Sequence, residues 1–199
     1  MLLYNSHDSG NCYKVRLLLA HLGVDYERRE MDVIDRSGRE AVLGDRNPAL
    51  RVPVLDLDDG RSLAESNAII WYLGDGTAYV PRDPFERAQA LQWMFFEQYS
   101  HEPNIAVLRF WITILGQPDR FADRIPEKTQ GALAALDGME RQLATREFLV
   151  GSAYSVADIA LYAYTHVSHE AGIDLAGYPG IRAWLARVAD QPGHVPIEA

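Results

Sequence analysis

Ser9, Asn11 and Cys12 fall together in the run Y-N-S-H-D-S-G-N-C-Y-K-V at residues 4–15. The run passes from a short apolar strand through a polar turn into an amphipathic helix. A hydroxyl, a carboxamide and a thiol therefore gather at a helix N-terminus. Unpaired backbone N–H groups and the helix dipole favour an anion there, a thiolate included. The chemistry indicated is that of sulfur or of a bound anion. Ser9 either caps the helix or donates a hydrogen bond to a bound thiolate, and the two roles can coexist. Cys12 is either a reactive thiolate able to form a mixed disulfide or a small buried helix residue. It is the one cysteine of the chain, which excludes an internal C-x-x-C redox cycle. Asn11 either orients a ligand sulfur or stabilises the turn.

Three further groups have the chemistry of a binding site. Backbone groups of Val52, ahead of Pro53, can pair with an extended peptide-like ligand. Arg51 beside them either meets a carboxylate or solvates a loop. Glu65 and Ser66 open a helix. There the hydroxyl and first-turn N–H groups suit a carboxylate, and Glu65 suits an ammonium. Ordinary capping is the simpler reading of the same pair. Arg109, Phe110 and Trp111 either line a pocket for an apolar, sometimes anionic, co-substrate or belong to an aromatic core. His101, His166 and His169 fit no metal motif, so no metal site is expected. Ser155 and Asp158, three apart ahead of an apolar run, read as a structural capping box.

The elements that must position these residues follow from periodicity and turn signals. A strand at 1–5, a helix at 13–22 ended by Gly23 and a strand at 26–31 form a strand–helix–strand unit. A short helix is expected at 39–43. Strands at 52–57 and 61–63 flank the turn Asp58-Asp59-Gly60, and a helix at 65–73 follows. This mixed α/β domain spans 1–77, and a proline-bearing linker spans 78–84. An all-helical domain over 85–199 has helices expected near 85–100, 104–115, 125–146, 156–171 and 181–189. The 199 residues are 48% apolar, enough for a real core, and the net charge is −9. No basic surface for nucleic acid is visible, and no apolar run suits a membrane span. The single cysteine and the absence of an apolar signal core lead to an expectation of a cytoplasmic protein.

The stretches SGNCYKVRLLLAHLG, NPALRVPVL, LAESNAIIWYLG and FLVGSAYSVADIALYAY, in that order and spacing, resemble a cytosolic glutathione transferase over essentially the whole chain. The resemblance implies a thioredoxin-like α/β domain followed by an all-α domain, usually in a homodimer. It implies a cis Val52-Pro53 bond and glutathione as co-substrate, its γ-glutamyl end on Glu65 and Ser66. Ser9 matches the catalytic serine of serine-type members. Asn11 matches a position used by bacterial members that act on glutathione disulfides, and Cys12 lies one residue beyond the usual catalytic cysteine. Leu50 and Arg51 depart from the family loop, which there carries glycine and then lysine or glutamine. Transfer of glutathione to a small apolar electrophile is the leading expectation. Glutathione-dependent disulfide reduction, maleylacetoacetate-type isomerisation and non-catalytic glutathione binding are the alternatives.

Overall fold

β1 (Leu2–Asn5) lies inside a four-stranded sheet, between β2 (Glu27–Glu30) and β3 (Val54–Asp56), with β4 (Ser62–Ala64) outermost beyond β3. β1 pairs parallel with β2, Leu2 opposite Glu27, and antiparallel with β3, Leu3 opposite Leu55. The parallel pair needs a crossover, which α1 (Gly10–Leu22) supplies. Strand alternation then divides the interior. Tyr4 and Val54 pack with Leu43 of α2 (Arg39–Leu43). Leu3 and Leu55 are fully buried and face the other way. α3 (Ser66–Gly74) packs along α1 and against β3 and β4. β2 is exposed throughout and reads E-R-R-E. Charge on an edge strand discourages pairing with other chains.

The computed structural model describes residues 1–199 and divides into two units. The first holds Met1–Asp75 together with Pro192–Ala199, and the second Gly76–Gln191. The return of Pro192–Ala199 to the first unit departs from the expectation of a helical domain running to residue 199. Its cause is a set of polar ties. Tyr13 Oη donates to the Val195 carbonyl at 2.7 Å, and Arg16 Nη2 donates to the Ile197 carbonyl. His21 Nδ1 lies 2.8 Å from the Pro192 carbonyl oxygen, and Arg28 Nη1 donates to Ala199 O at 2.8 Å. α1 is therefore buried all round from Cys12 to Leu19, not only on the apolar stripe.

The second unit contains α4 (Pro84–Phe96), α5 (Glu102–Arg109), α6 (Ile125–Leu143), α7 (Val156–Thr165) and α8 (Pro179–Ala189). Pro103, after which the second helix was expected to begin, stands instead in the first turn of α5. A π-helical turn, Glu97–His101, joins α4 to α5, and another, Phe110–Ile114, extends α5. The capping box forms: Ser155 caps α7, and the buried Asp158 accepts from Ser155 N at 3.0 Å. No helix is long and apolar enough to cross a membrane.

Candidate active site

Ser9 precedes α1 with extended backbone, and its Oγ accepts the Cys12 N–H at 3.3 Å. The hydroxyl uses a lone pair for the cap; its proton can be donated, and Cys12 Sγ is one acceptor within its reach. Capping and donation are therefore compatible at one oxygen. The first turn of α1 carries no acidic residue, so no carboxylate of its own neutralises the positive end of the dipole.

Cys12 does not fulfil the redox expectation. Its side chain is fully buried, and Sγ accepts the Ser6 N–H at 3.2 Å. Burial pushes the thiol up to about 11, outweighing the hydrogen bonds from Ser9 and Ser6 that favour the thiolate. The helix start favours an anion only where that anion keeps enough solvation, and this sulfur points into the core. Cys12→Ser is therefore expected to leave turnover unchanged in a glutathione-dependent assay. Abolished turnover in a folded variant would restore the covalent role.

Asn11 and Ser66 meet across the two helices. Ser66 Oγ lies 3.2 Å from Asn11 Oδ1, and Lys14 Nζ donates to Asn11 Oδ1 at 2.9 Å and to Ser66 Oγ at 3.3 Å. Ser66 is the first residue of α3, and its side chain turns inward to α1 instead of capping α3. Glu65 holds the N-cap position without making a side-chain cap, and it is exposed. Its backbone stands at φ 69, a left-handed conformation that costs a non-glycine residue about 1–2 kcal/mol. The expectation of ordinary capping thus fails for both residues. An exposed carboxylate stands beside a helix start whose first turn has no acid.

The loop before β3 has its own scaffold. Asn47 Nδ2 donates to the Arg51 carbonyl at 2.9 Å, and Asn47 Oδ1 accepts the Ala49 N–H at 3.0 Å. The buried Arg39 donates to the Leu50 carbonyl at 3.1 Å and to the Asp32 carbonyl at 2.7 Å. Leu50 takes φ 53 although it is not glycine, and its side chain packs against the cluster of Tyr4, Leu43 and Val54. That packing offsets strain which glycine would have avoided. The Val52-Pro53 bond is cis, and Val52 lies just outside the strand ladder. Its backbone groups take no part in the pairing of β3 with β1. Arg51 is exposed beside them.

In the second unit, Arg109 is buried and its Nε donates to Glu170 Oε2 at 2.8 Å. Trp111 is buried and stacks on Phe121 at 4.4 Å between centroids, with the Arg124 guanidinium 4.7 Å from its ring centroid. Phe110 is half-buried. The co-substrate role expected for Arg109 and Trp111 loses its support, because the charge is answered by Glu170 and the indole is covered. Sequence reading missed Lys14, Arg39 and Asn47. For Lys14 a signal existed: it lies three residues after Asn11, on the same helical face.

Comparison with known proteins converges on one family. The model for the glutathione S-transferase N-terminal domain matches residues 3–78, and that for the C-terminal domain matches residues 122–187. A crystal structure of a glutathione S-transferase from Pseudomonas fluorescens is 48% identical, with a TM-score of 0.95, covering 100% of this chain and 98% of that one. The maleylacetoacetate isomerase of Rhizobium meliloti is 31% identical, covering 89% of this chain and 85% of its own. The disulfide-bond oxidoreductase YfcG of Escherichia coli is 27% identical, covering 92% of this chain and 87% of its own.

Proposed function

The chain belongs to the glutathione S-transferase family, and from that premise we propose that it activates the glutathione thiol for attack on a small apolar electrophile. The observation that carries this reading is the Ser9 hydroxyl. It accepts the Cys12 N–H, and with ligand bound it donates its hydrogen bond to the ligand thiolate in place of Cys12 Sγ. The thiol proton leaves to solvent on ionisation, and Ser9 stabilises the anion without taking that proton. In displacement, sulfur forms a bond to carbon while the leaving group departs with its electron pair. In addition, the electron pair of the attacked double bond takes up a proton from water.

The rest of the ligand is assigned by charge and backbone. The Glu65 carboxylate receives the γ-glutamyl ammonium, and the first-turn N–H groups of α3 receive its carboxylate. Ser66, its hydroxyl turned to Asn11, contributes through its backbone. Val52, ahead of Pro53, pairs with the peptide portion, and Arg51 answers the glycyl carboxylate. Glu65→Gln is expected to raise KM for glutathione about tenfold with kcat held, the weight of a charge-assisted hydrogen bond of about 1.5 kcal/mol. Steady-state kinetics at saturating electrophile checks it, and an unchanged KM removes Glu65 from the site.

Assembly as a homodimer in a reducing cytoplasm belongs to the same reading. The exposed rings of Phe95 and Tyr99 offer such an assembly apolar surface to cover. Disulfide reduction is the second reading, favoured by Asn11 at the helix start and by the likeness to the E. coli oxidoreductase. The buried Cys12 confines it to a route without a protein thiolate. A panel of electrophiles and glutathione disulfides separates the two: conjugation with little disulfide turnover supports the transferase, and the reverse supports the reductase.

A further inference from the structure

Lys14 is fully buried, an uncommon place for an ammonium, and it stands where α1 and α3 meet. Its Nζ bonds one residue from the first turn of each helix, Asn11 at 2.9 Å and Ser66 at 3.3 Å. An ammonium carries donors and no acceptor, so the group Asn11 turns toward it must be the carboxamide oxygen, never the nitrogen. The Ser66 hydroxyl reinforces this by reaching the same oxygen at 3.2 Å. The Asn11 amide plane is thereby fixed, with its N–H pair on the side away from Lys14. Asn11 is half-buried and two residues from Ser9 in the same first turn of α1.

We propose that Lys14 is a positioning residue for the thiolate: it holds the Asn11 carboxamide so that its N–H groups, with the Ser9 hydroxyl, face the ligand sulfur. The inference rests on the proposed thiol activation, with Asn11 orienting the sulfur, and adds the residue that holds Asn11. Without Lys14 the carboxamide can turn over, presenting oxygen to the thiolate and repelling it. Other charged groups flank this turn: His7 and Asp8 ahead of α1, Arg16 within it, Glu30 at the end of β2, Arg51 before Pro53 and Glu65 before α3. Lys14 differs from them in bonding Asn11 and Ser66 together.

The test is the pH profile of kcat/KM for the electrophile at saturating glutathione, which reads the bound thiol, in the wild type, Lys14→Met, Lys14→Arg, Asn11→Leu and the double variant Lys14→Met/Asn11→Leu, with folding followed by circular dichroism. Lys14→Met is expected to move the thiol inflection up by about one unit, lowering the acidic limb about tenfold while the high-pH plateau survives. Lys14→Arg, which keeps donors without acceptors, is expected to stay near the wild type. Asn11→Leu is expected to move the inflection as well, and Lys14→Met to add nothing in that background. A plateau lowered at every pH with an unmoved inflection overturns the proposal, leaving Lys14 a strut and thiol activation intact. An equal shift in the Asn11→Leu background also overturns it, because Lys14 would then act by charge alone. The Asn11→Leu arm stands alone: an unmoved inflection there overturns the proposal even if Lys14→Met does not fold. A wild-type inflection at the free-thiol value defeats thiol activation itself, and this proposal with it.

Discussion

Ser9→Ala is expected to lower kcat/KM for glutathione conjugation about a hundredfold at neutral pH, the usual effect of losing one donor to a developing or bound anion. The same substitution removes the α1 cap at Cys12 N and costs stability of about 1 kcal/mol. The two effects separate readily. The first is a loss of rate at a temperature where the variant is fully folded. The second is a shift of the denaturant midpoint. Ser9→Thr, which keeps a hydroxyl, is expected to recover much of the rate. Full activity in a folded Ser9→Ala variant would leave thiolate stabilisation to other groups.

Asp158→Ala is expected to produce the largest loss of stability, about 3–5 kcal/mol, because it leaves several buried donors without an acceptor. Asp158 Oδ1 accepts from Leu149 N at 3.0 Å and Trp184 Nε1 at 2.9 Å, and Oδ2 accepts from Ser155 N at 3.0 Å and Ser155 Oγ at 3.1 Å. Asp158 is thus at once the α7 capping box, a clasp on the segment before it and the partner of the fully buried Trp184. Natural domains hold a net stability of only about 5–15 kcal/mol, so the variant is expected to be largely unfolded when warm. Chemical denaturation of both proteins measures it, and a loss below about 1 kcal/mol would show the network to be dispensable.

Burial pushes the Asp158 carboxyl up to about 6 against its four donors. The folded state therefore binds the proton more tightly than the unfolded chain, whose carboxyl titrates near 3.8. The stability gained relative to Asp158→Asn should fall as pH rises from about 4 to about 6, the reverse of an ordinary salt-bridged carboxylate.

The two-domain plan was legible because it rests on local signals. Gly23 ends α1 in a left-handed conformation, Ser155 and Asp158 cap α7, and the turn at Gly60 joins β3 to β4. What escaped the sequence depends on partners distant along the chain. Lys14 looks like a solvent-facing helix position, yet Ser66 is 52 residues away. Arg16 has the same appearance, and its Nη2 lies beneath the Ile197 carbonyl, 181 residues on. α7 was expected to reach residue 171 but ends at Thr165, and a tight 3₁₀ turn, Ser168–Ala171, follows.

At the site, the residue types at Ser9, Asn11, Glu65 and Ser66 indicated binding, but their directions were not readable. Ser66 turned away from its own helix because a buried cation and a carboxamide compete for its hydroxyl. Cys12 went the other way. A helix start predicts an easily ionised thiol, but the sulfur's neighbours exclude water, and desolvation outweighs the hydrogen bonds that favour the thiolate.

Ultraviolet difference titration of glutathione on the wild-type protein reads the ionisation of the bound thiol directly. A free cysteine-like thiol ionises near pH 8.5. The expected result is ionisation well below that value in the wild type and a return toward it in Ser9→Ala. A bound thiol that ionises as it does in water, or failure to bind at millimolar glutathione, would contradict thiol activation at this turn.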